Sequence, residues 1–346
     1  MKKTQILIVV LALLLTLSAC GQPSPSPVST AAPAPSPGVG QPSPSGSSAD
    51  APADDAADQE AFVIGLSLAD AASGWADFSD RCAQIAKENG DELLLSDASG
   101  KADEQVKAVK SFLSSGCDLL IIQSVDAAAL HETLQQARKD GVRVVALLTP
   151  LGEGDWDGWY CYDEYGIGRS IGEAAGAWLN ENHDGQGHVG IFEHPTDPAM
   201  ISRVQGIRDA LLETAPQAHI TATAQCVDPN DAGNETAAIF ALDPEIAALC
   251  SYSDSLLLAS LPTVTAARKA PSRFALFGAD GLEDALLQIA AEGCYKTTVF
   301  LPSDAYAADV MELALALLSG DDGGVVYAPF TPVTLENVKE FLPDSP

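Results

Sequence analysis

Several predicted strands are followed by side chains that can hydrogen-bond a hydroxyl group or present a flat aromatic face to C–H bonds. These candidate site residues are Asp70, Ser73, Trp75, Glu193, His194, Asp254 and Asp280. A carboxylate accepts strong hydrogen bonds, and an aromatic face packs against C–H bonds. The histidines and cysteines show no metal-ligand spacing, so the sequence predicts a site for a small polar molecule and no metal site.

Asp280 is the strongest candidate, and Asp254 is the second carboxylate that follows a strand of the same half of the chain. Both are expected to point into a cleft, although capping of the next helix would also explain either residue. Two such carboxylates could perform acid–base chemistry on a glycoside, as in an extracellular α/β hydrolase. The chain carries neither a His-Glu-x-x-His motif nor a P-loop, and it indicates no cofactor.

The other candidates each have a simpler alternative role. In the loop after the first strand, Asp70 or Ser73 could bond a hydroxyl, whereas Trp75 could pack under the following helix. Glu193 and His194 end a strand, and a solvated loop is the alternative for both. A separate residue, Arg203, is expected to be structural and to pair with a carboxylate.

Short apolar runs alternate with amphipathic helical runs, and this order predicts an α/β fold. The predicted strands lie near 62–68, 93–95, 119–122, 144–148, 159–162, 188–192, 220–225, 246–251, 274–278 and 297–301, and a last helix near 305–319. Continuous apolar strands indicate sheets that are covered on both faces, and hence parallel strands joined by crossover helices. The pattern occurs twice, which predicts two doubly wound lobes.

The amino-terminal segment predicts export. A basic start, an uncharged apolar run from Ile6 to Leu17, and Leu17-Ser18-Ala19-Cys20-Gly21 have the form of a secretory signal. The end of this segment resembles a bacterial lipobox, which implies a signal peptide over 1–20, lipidation of Cys20 and a membrane anchor. Residues 21–60 are rich in Pro, Ser and Ala, and we expect a disordered linker there.

Charge and cysteine content restrict the partners. The chain has a formal net charge of −30, so it would repel nucleic acid, and no nucleic-acid partner is expected. Six cysteines follow Cys20 as isolated residues. Export would permit disulfides among them, but their spacing selects no pairing.

Six short segments, in order, carry a resemblance to a known family. They are Ile121-Ile-Gln-Ser-Val-Asp126, Asp163-Glu-Tyr-Gly-Ile-Gly168, Arg203-Val-Gln-Gly206, Cys250-Ser-Tyr-Ser253 with Asp254, Gly278-Ala-Asp-Gly281 and Pro332-Val-Thr-Leu-Glu-Asn-Val338. Together they resemble type I periplasmic binding proteins, specifically the ribose- and xylose-type sugar receptors of ABC importers. The likeness covers nearly all of the chain after the linker.

The resemblance implies a periplasmic binding protein-like fold with a three-strand hinge near 162–163, 301–302 and 327–328. One lobe would comprise 61–162 and 302–328, and the other 163–301 and 329–346. A sugar would bind between the lobes, with Trp75 as an aromatic platform, and the protein would deliver it to an ABC permease. The resemblance also implies a monomer and no enzymatic activity.

Two departures from the sugar receptors affect the ligand. The Asp-Arg pair expected after the fourth strand is replaced by Leu148-Thr149, and an aromatic residue of the second lobe is replaced near Asp228. The ligand is then a sugar, a nucleoside or a signalling molecule. A receptor that reports to a membrane kinase or chemoreceptor stays open as the alternative to transport.

Overall fold

The computed structural model describes residues 61–71, 75–302 and 306–342. Within these ranges the chain forms two α/β lobes, each built around a six-stranded sheet. The predicted signal peptide, Cys20, the linker over 21–60 and Ser73 lie outside the described residues.

The first lobe contains six parallel strands in the order β11-β5-β4-β3-β1-β2. Its strands are β1 (Val63–Leu68), β2 (Glu92–Asp97), β3 (Leu119–Ile122), β4 (Arg143–Leu147), β5 (Gly158–Cys161) and β11 (Gly324–Tyr327). The helices that pack on this sheet are α1 (Ala76–Asn89), α2 (Ala102–Ser114), α3 (Ala127–Lys139) and α9 (Tyr306–Leu318).

The second lobe has the strand order β12-β10-β9-β8-β6-β7, and only the short β12 pairs antiparallel to its neighbour. Its strands are β6 (Gln186–Glu193), β7 (Gln217–Gln225), β8 (Ile246–Cys250), β9 (Ala275–Asp280), β10 (Tyr295–Phe300) and β12 (Thr331–Val333). Its helices are α4 (Glu164–Asn182), α5 (Pro198–Thr214), α6 (Pro229–Leu242), α7 (Asp254–Ala266) and α8 (Glu283–Ala290). A 3₁₀ turn, Val338–Glu340, follows β12.

The strands form where apolar runs can be buried on both faces. All residues of β3 and of β8 are buried, as expected for central strands of a parallel sheet. Four of the helices begin at an aspartate whose carboxylate accepts a backbone N–H of the first turn. These residues are Asp126, Asp163, Asp197 and Asp228. Their side chains satisfy N–H groups that have no partner within the helix.

Helices α4 and α5 pack unusually close together because glycines stand at their contact. A Cβ on Gly168 would lie 1.8 Å from the carbonyl oxygen of Arg203, and a Cβ on Gly206 would lie 2.2 Å from that of Tyr165. No other residue type fits without moving one helix. This contact fixes the amino-terminal halves of the two helices against each other.

The chain passes between the lobes three times. It leaves the first sheet after β5, returns after β10 through α9, and leaves again after β11 to form β12. The predicted fold class of two doubly wound lobes is therefore confirmed. The structure adds α6, α7 and α8, which the sequence analysis did not locate.

The state of the cysteines and the character of the helices bear on disulfides and on membrane spans. Among the described residues, all six cysteines that follow Cys20 are unpaired, and five of them are buried. None of the helices in the described ranges combines the length and apolar character needed to cross a membrane.

Candidate ligand-binding site

A cavity of about 480 Å³ lies where the two lobes connect, and we call it the polar cavity. It is lined by Tyr162, Glu164, Met200, Arg203, Tyr252, Ser253, Asp280, Leu301 and Tyr306. Most of these residues belong to the second lobe, whereas Tyr306 begins α9 of the first. The strands β8 and β9 bring Ser253 and Asp280 there because the carboxyl ends of neighbouring parallel strands meet at one edge of a sheet.

Arg203 is the buried cation of this cavity, with 3% of its surface exposed. Its Nε and Nη2 atoms donate to Oε2 of Glu164, at 2.7 and 2.6 Å. Its Nη1 atom donates to the carbonyl oxygen of Tyr252 at 2.8 Å and to Oδ1 of Asp280 at 3.3 Å. The expectation that Arg203 pairs with a carboxylate agrees with these contacts, and the residue also lines the cavity.

Asp280 ends β9 and presents its carboxylate to the polar cavity. Its side chain is 31% exposed, and Ser253 Oγ donates to its Oδ2 at 2.8 Å. The backbone of Asp280 has a φ of 118°, which L-residues rarely adopt. Such strain persists only where the surroundings enforce it, and it is concentrated at functional sites. Burial raises the pKa of this carboxyl, although Arg203 opposes the shift.

Asp254 lies directly behind Asp280 and is completely buried. It accepts four hydrogen bonds, from Tyr295 Oη (2.6 Å), Thr298 Oγ1 (2.7 Å) and the N–H groups of Gly281 (2.9 Å) and Leu282 (3.0 Å). Burial raises its pKa to about 7. Of the described residues, those lining the polar cavity include Asp280 but not Asp254. The hydrogen bonds of Asp254 hold the loop that follows Asp280.

Tyrosines connect the cavity to the first lobe. Tyr162 donates a hydrogen bond to the hydroxyl oxygen of Tyr306 (2.7 Å), and their rings meet at an angle of 75°. Tyr160 packs edge-on against Tyr306 and donates to Asp309 Oδ2 at 2.9 Å. Burial raises the pKa of all three tyrosines, so their hydroxyls stay protonated at neutral pH.

Glu193 and His194 are engaged at the end of β6. Glu193 forms an ion pair with Arg208, and His194 Nδ1 accepts the N–H of Asp197 at 2.9 Å. The His194 ring lies 5.7 Å from that of Tyr252, so it packs behind a residue of the polar cavity. Among described residues, neither Glu193 nor His194 is part of the cavity lining.

The loop after β1 lies in the first lobe. Trp75 precedes α1, is half-buried, and meets Phe78 edge-on at 5.0 Å. Asp70 is exposed. In the part of the chain that the structure describes, the lining of the polar cavity includes neither residue. The structure therefore brings Asp254 and Asp280 together and leaves the two candidates of the first lobe apart from them.

A second cavity, of about 640 Å³, adjoins the first and shares Tyr162 and Glu164 with it; we call it the aromatic cavity. It is lined by Leu148, Thr149, Pro150, Trp159, Cys161, Tyr162, Asp163, Glu164, Tyr165, Asp197, Pro198, Ala199, Ser202 and Tyr327. Leu148 and Thr149, which replace the Asp-Arg pair of sugar receptors, lie here. Leu148 is apolar, so of the two side chains the Thr149 hydroxyl is the one that can bind a hydroxyl group.

Two segments match the spacing of enzyme motifs, but both lie in the wrong structural context. Gly168–Gly172 has the Gly-x-Ser-x-Gly spacing of a nucleophile elbow, yet it lies inside α4, with Ser170 Oγ bonded to the Gly166 carbonyl. Gly185–Gly190 has the Gly-x-Gly-x-x-Gly spacing, yet most of it forms β6. Each motif requires a strand-to-helix turn, so neither marks a catalytic or nucleotide site.

Comparison with known proteins decides the family. Residues 64–322 match the family described as "Periplasmic binding protein domain". The chain belongs to the periplasmic binding proteins. Membership confirms the resemblance inferred from the six motifs, and it confirms that the protein belongs among binding proteins rather than enzymes.

Individual relatives of this periplasmic binding protein are distant. A xylitol-binding protein of Mycolicibacterium smegmatis is 24% identical over 272 residues, which cover 78% of this chain and 76% of the relative. An ABC transporter solute-binding protein of Mycobacterium smegmatis, solved with bound glycerol, superposes with a TM-score of 0.66 at 22% identity, covering 82% and 98% of the two chains. One from Bacillus halodurans, solved with myo-inositol, has a TM-score of 0.64 at 21% identity, covering 81% and 96%.

Sequence analysis missed several residues of the polar cavity. Glu164 lies within the segment that resembles the first interlobe crossing, but its charge was not considered. Tyr162 and Tyr306 were not singled out, although each stands beside a predicted crossing. Aromatic residues next to a predicted hinge are the signal that could have identified them.

Proposed function

We propose that this protein is an extracytoplasmic solute-binding protein that captures a small polyhydroxylated molecule in the polar cavity. The observation that carries the proposal is the Asp280 carboxylate, which extends from a strained backbone and is held at the connection of the lobes by Arg203 and Ser253. Tyr162 and Tyr306 line the same cavity and pack in the core of the first lobe. A ligand that contacts both lobes would favour their closed arrangement.

The chemistry of the cavity fits a polyol. The carboxylates of Asp280 and Glu164 accept hydrogen bonds, the tyrosine rings offer apolar faces, and Ser253 is a short hydroxyl. Relatives are named for xylitol binding or were solved with glycerol or myo-inositol, and all three are polyols. A sugar or sugar alcohol is therefore the ligand class that we propose.

We further propose that the protein is exported, lipidated at Cys20 and tethered outside the membrane by residues 21–60. It would then present its ligand to the transmembrane subunits of an ABC permease. Hinge closure around a ligand is an established form of domain motion, of which periplasmic binding proteins are an example. The lobes would rotate about the crossings near 162–163, 301–302 and 327–328.

A thermal-shift screen of pentoses, hexoses, sugar alcohols and nucleosides tests the proposal. A ligand at a hundred times its dissociation constant adds about 2.7 kcal/mol to the free energy of unfolding. Asp280→Asn should reduce that gain and leave the unfolding temperature without ligand nearly unchanged. If no compound raised the unfolding temperature, or if Asp280→Asn bound as tightly as the wild type, the assigned site would be wrong.

A further inference from the structure

The charges around the two cavities are unbalanced. Four carboxylates line them, those of Asp163, Glu164, Asp197 and Asp280, against the single guanidinium of Arg203. Among the described residues, no Lys, Arg or His lines the aromatic cavity. Burial raises the pKa of Glu164, Arg203 opposes the shift, and the nearby carboxylates of Asp197 and Asp280 raise it further.

The charge of Arg203 is already paired with two protein carboxylates, those of Glu164 and Asp280. Its Nε and Nη2 atoms donate to Glu164, and its Nη1 atom serves Tyr252 and Asp280. Any ligand carboxylate or phosphate would therefore approach the side chains of acids without a free cation to receive it. Uncompensated burial of like charge is costly, so such ligands are disfavoured.

The acids at the helix starts retain capacity to bind a cation. Asp163 uses Oδ1 to accept the N–H of Gly166 (2.8 Å), and Asp197 uses Oδ1 to accept that of Ala199 (2.9 Å). Within the described residues, no hydrogen-bond donor reaches Oδ2 of either side chain. Each keeps a free oxygen beside the aromatic cavity.

The rings of the aromatic cavity add to this preference. Trp159, Tyr162, Tyr165 and Tyr327 line it together with Leu148. A cation within about 6 Å of an aromatic face is attracted by the ring, most strongly by Trp. Carboxylates and aromatic rings without a basic residue form a suitable environment for an organic cation.

We propose that the ligand carries a protonated amine, which the aromatic cavity receives while the hydroxyl-bearing part occupies the polar cavity. This inference rests on the proposed function and specifies its ligand class as an amino sugar or another hydroxylated amine. Glu164 and Tyr162 belong to both cavities, so one molecule can span them.

Matched probes test the charge of the ligand. Calorimetric titration at pH 7 would compare three sets that share a skeleton and differ in charge. They are glucosamine, glucose and glucuronate; galactosamine, galactose and galacturonate; and tyramine, tyrosol and 4-hydroxyphenylacetate. In at least one set the amine should bind about tenfold more tightly than the neutral compound, a difference of about 1.4 kcal/mol, and the acid should bind most weakly.

Paired variants locate the effect. Asp197→Asn removes a charge but keeps the helix cap, because Asn caps as well as Asp. It should weaken amine binding at least about threefold, as expected for a partly exposed charge pair, and weaken neutral binding by a smaller factor. The control is Asp118→Asn, since Asp118 also accepts a backbone N–H (Val63, 2.8 Å) but stands before β3, at the amino end of the strands.

The outcomes separate the two proposals. Tightest binding by a neutral compound or an acid would overturn the cationic ligand and leave the solute-binding function in place. Equal effects of Asp197→Asn and Asp118→Asn would also overturn it, because the preference would then reflect net charge alone. Failure of all nine compounds to bind at 20 mM would overturn the cationic ligand, and the solute-binding function would also be overturned if no compound of the thermal-shift screen bound.

Discussion

Removal of the Asp254 carboxylate should destabilise the second lobe more than any other single change at the site. In Asp254→Ala, the buried hydroxyl of Tyr295 and the N–H of Leu282 lose their acceptor, whereas the N–H of Gly281 keeps Thr298 Oγ1 at 3.0 Å. Each unsatisfied buried group costs about 1–3 kcal/mol, whereas loss of a buried carboxylate relieves part of its own desolvation. We expect the free energy of unfolding to fall by about 2–5 kcal/mol, the sum for two unsatisfied buried groups less the desolvation that is relieved.

Urea unfolding of the full chain, followed by tryptophan fluorescence and circular dichroism, measures this loss. Thr298→Val is the matched control, because it removes one hydroxyl donor to the same carboxylate and one of the two acceptors of the Gly281 N–H, and it should cost about 1–2 kcal/mol. A loss below about 1 kcal/mol in Asp254→Ala would refute the reasoning. The hydrogen bonds would then not hold the Asp280 loop.

Two further predictions concern pH and helix packing. Burial raises the pKa of Asp254 from its unfolded value of about 3.9 to about 7, so the folded state binds the extra proton. Its contribution is therefore complete below pH 4 and is lost as the pH rises to 7. Urea midpoints measured from pH 4 to 8 should fall over this window, and Asp254→Asn should flatten the decrease; an unchanged slope would contradict the assignment. Gly168→Ala places a Cβ against the Arg203 carbonyl and should cost at least about 3 kcal/mol, whereas Gly233→Ala, whose nearest contact is 3.3 Å, should be nearly neutral. Equal unfolding temperatures for these two variants would contradict the close contact of α4 and α5.

Strands and lobes were predictable because buried parallel strands have continuous apolar runs between turn residues. Helix α7 was missed for a physical reason, since Leu256, Leu257 and Leu258 surround it with apolar side chains and Pro262 lies inside it. A helix without a polar face has no 3.6-residue pattern to detect. Its sequence therefore does not distinguish it from a strand and loop.

The site was only partly predictable. The position of Asp280 follows from the rule that strand ends form the ligand edge, and this rule requires no knowledge of partners. Its partner Arg203 stands 77 residues away in the sequence, and Arg203 pairs with Glu164 across 39 residues. Periodicity contains no information on contacts at such separations. Asp254 and Asp280 also differ in role because Asp254 is buried and Asp280 is partly exposed. Both follow adjacent strands, so their positions in the sequence do not predict this difference.

The glycine contact between α4 and α5 has a consequence for the energetics of capture. Glu164 begins α4 and Arg203 lies on α5, so the fixed helix pair keeps their ion pair intact whichever way the lobes rotate. The acidic half of the site is thereby assembled before any ligand arrives, and little side-chain entropy remains to be lost there. The ordering that remains to be lost on binding therefore lies on the Tyr306 side, where the moving lobe would meet the ligand. Mutations on that side should mainly change the rate of release, whereas those in the helix pair should change which molecules are accepted.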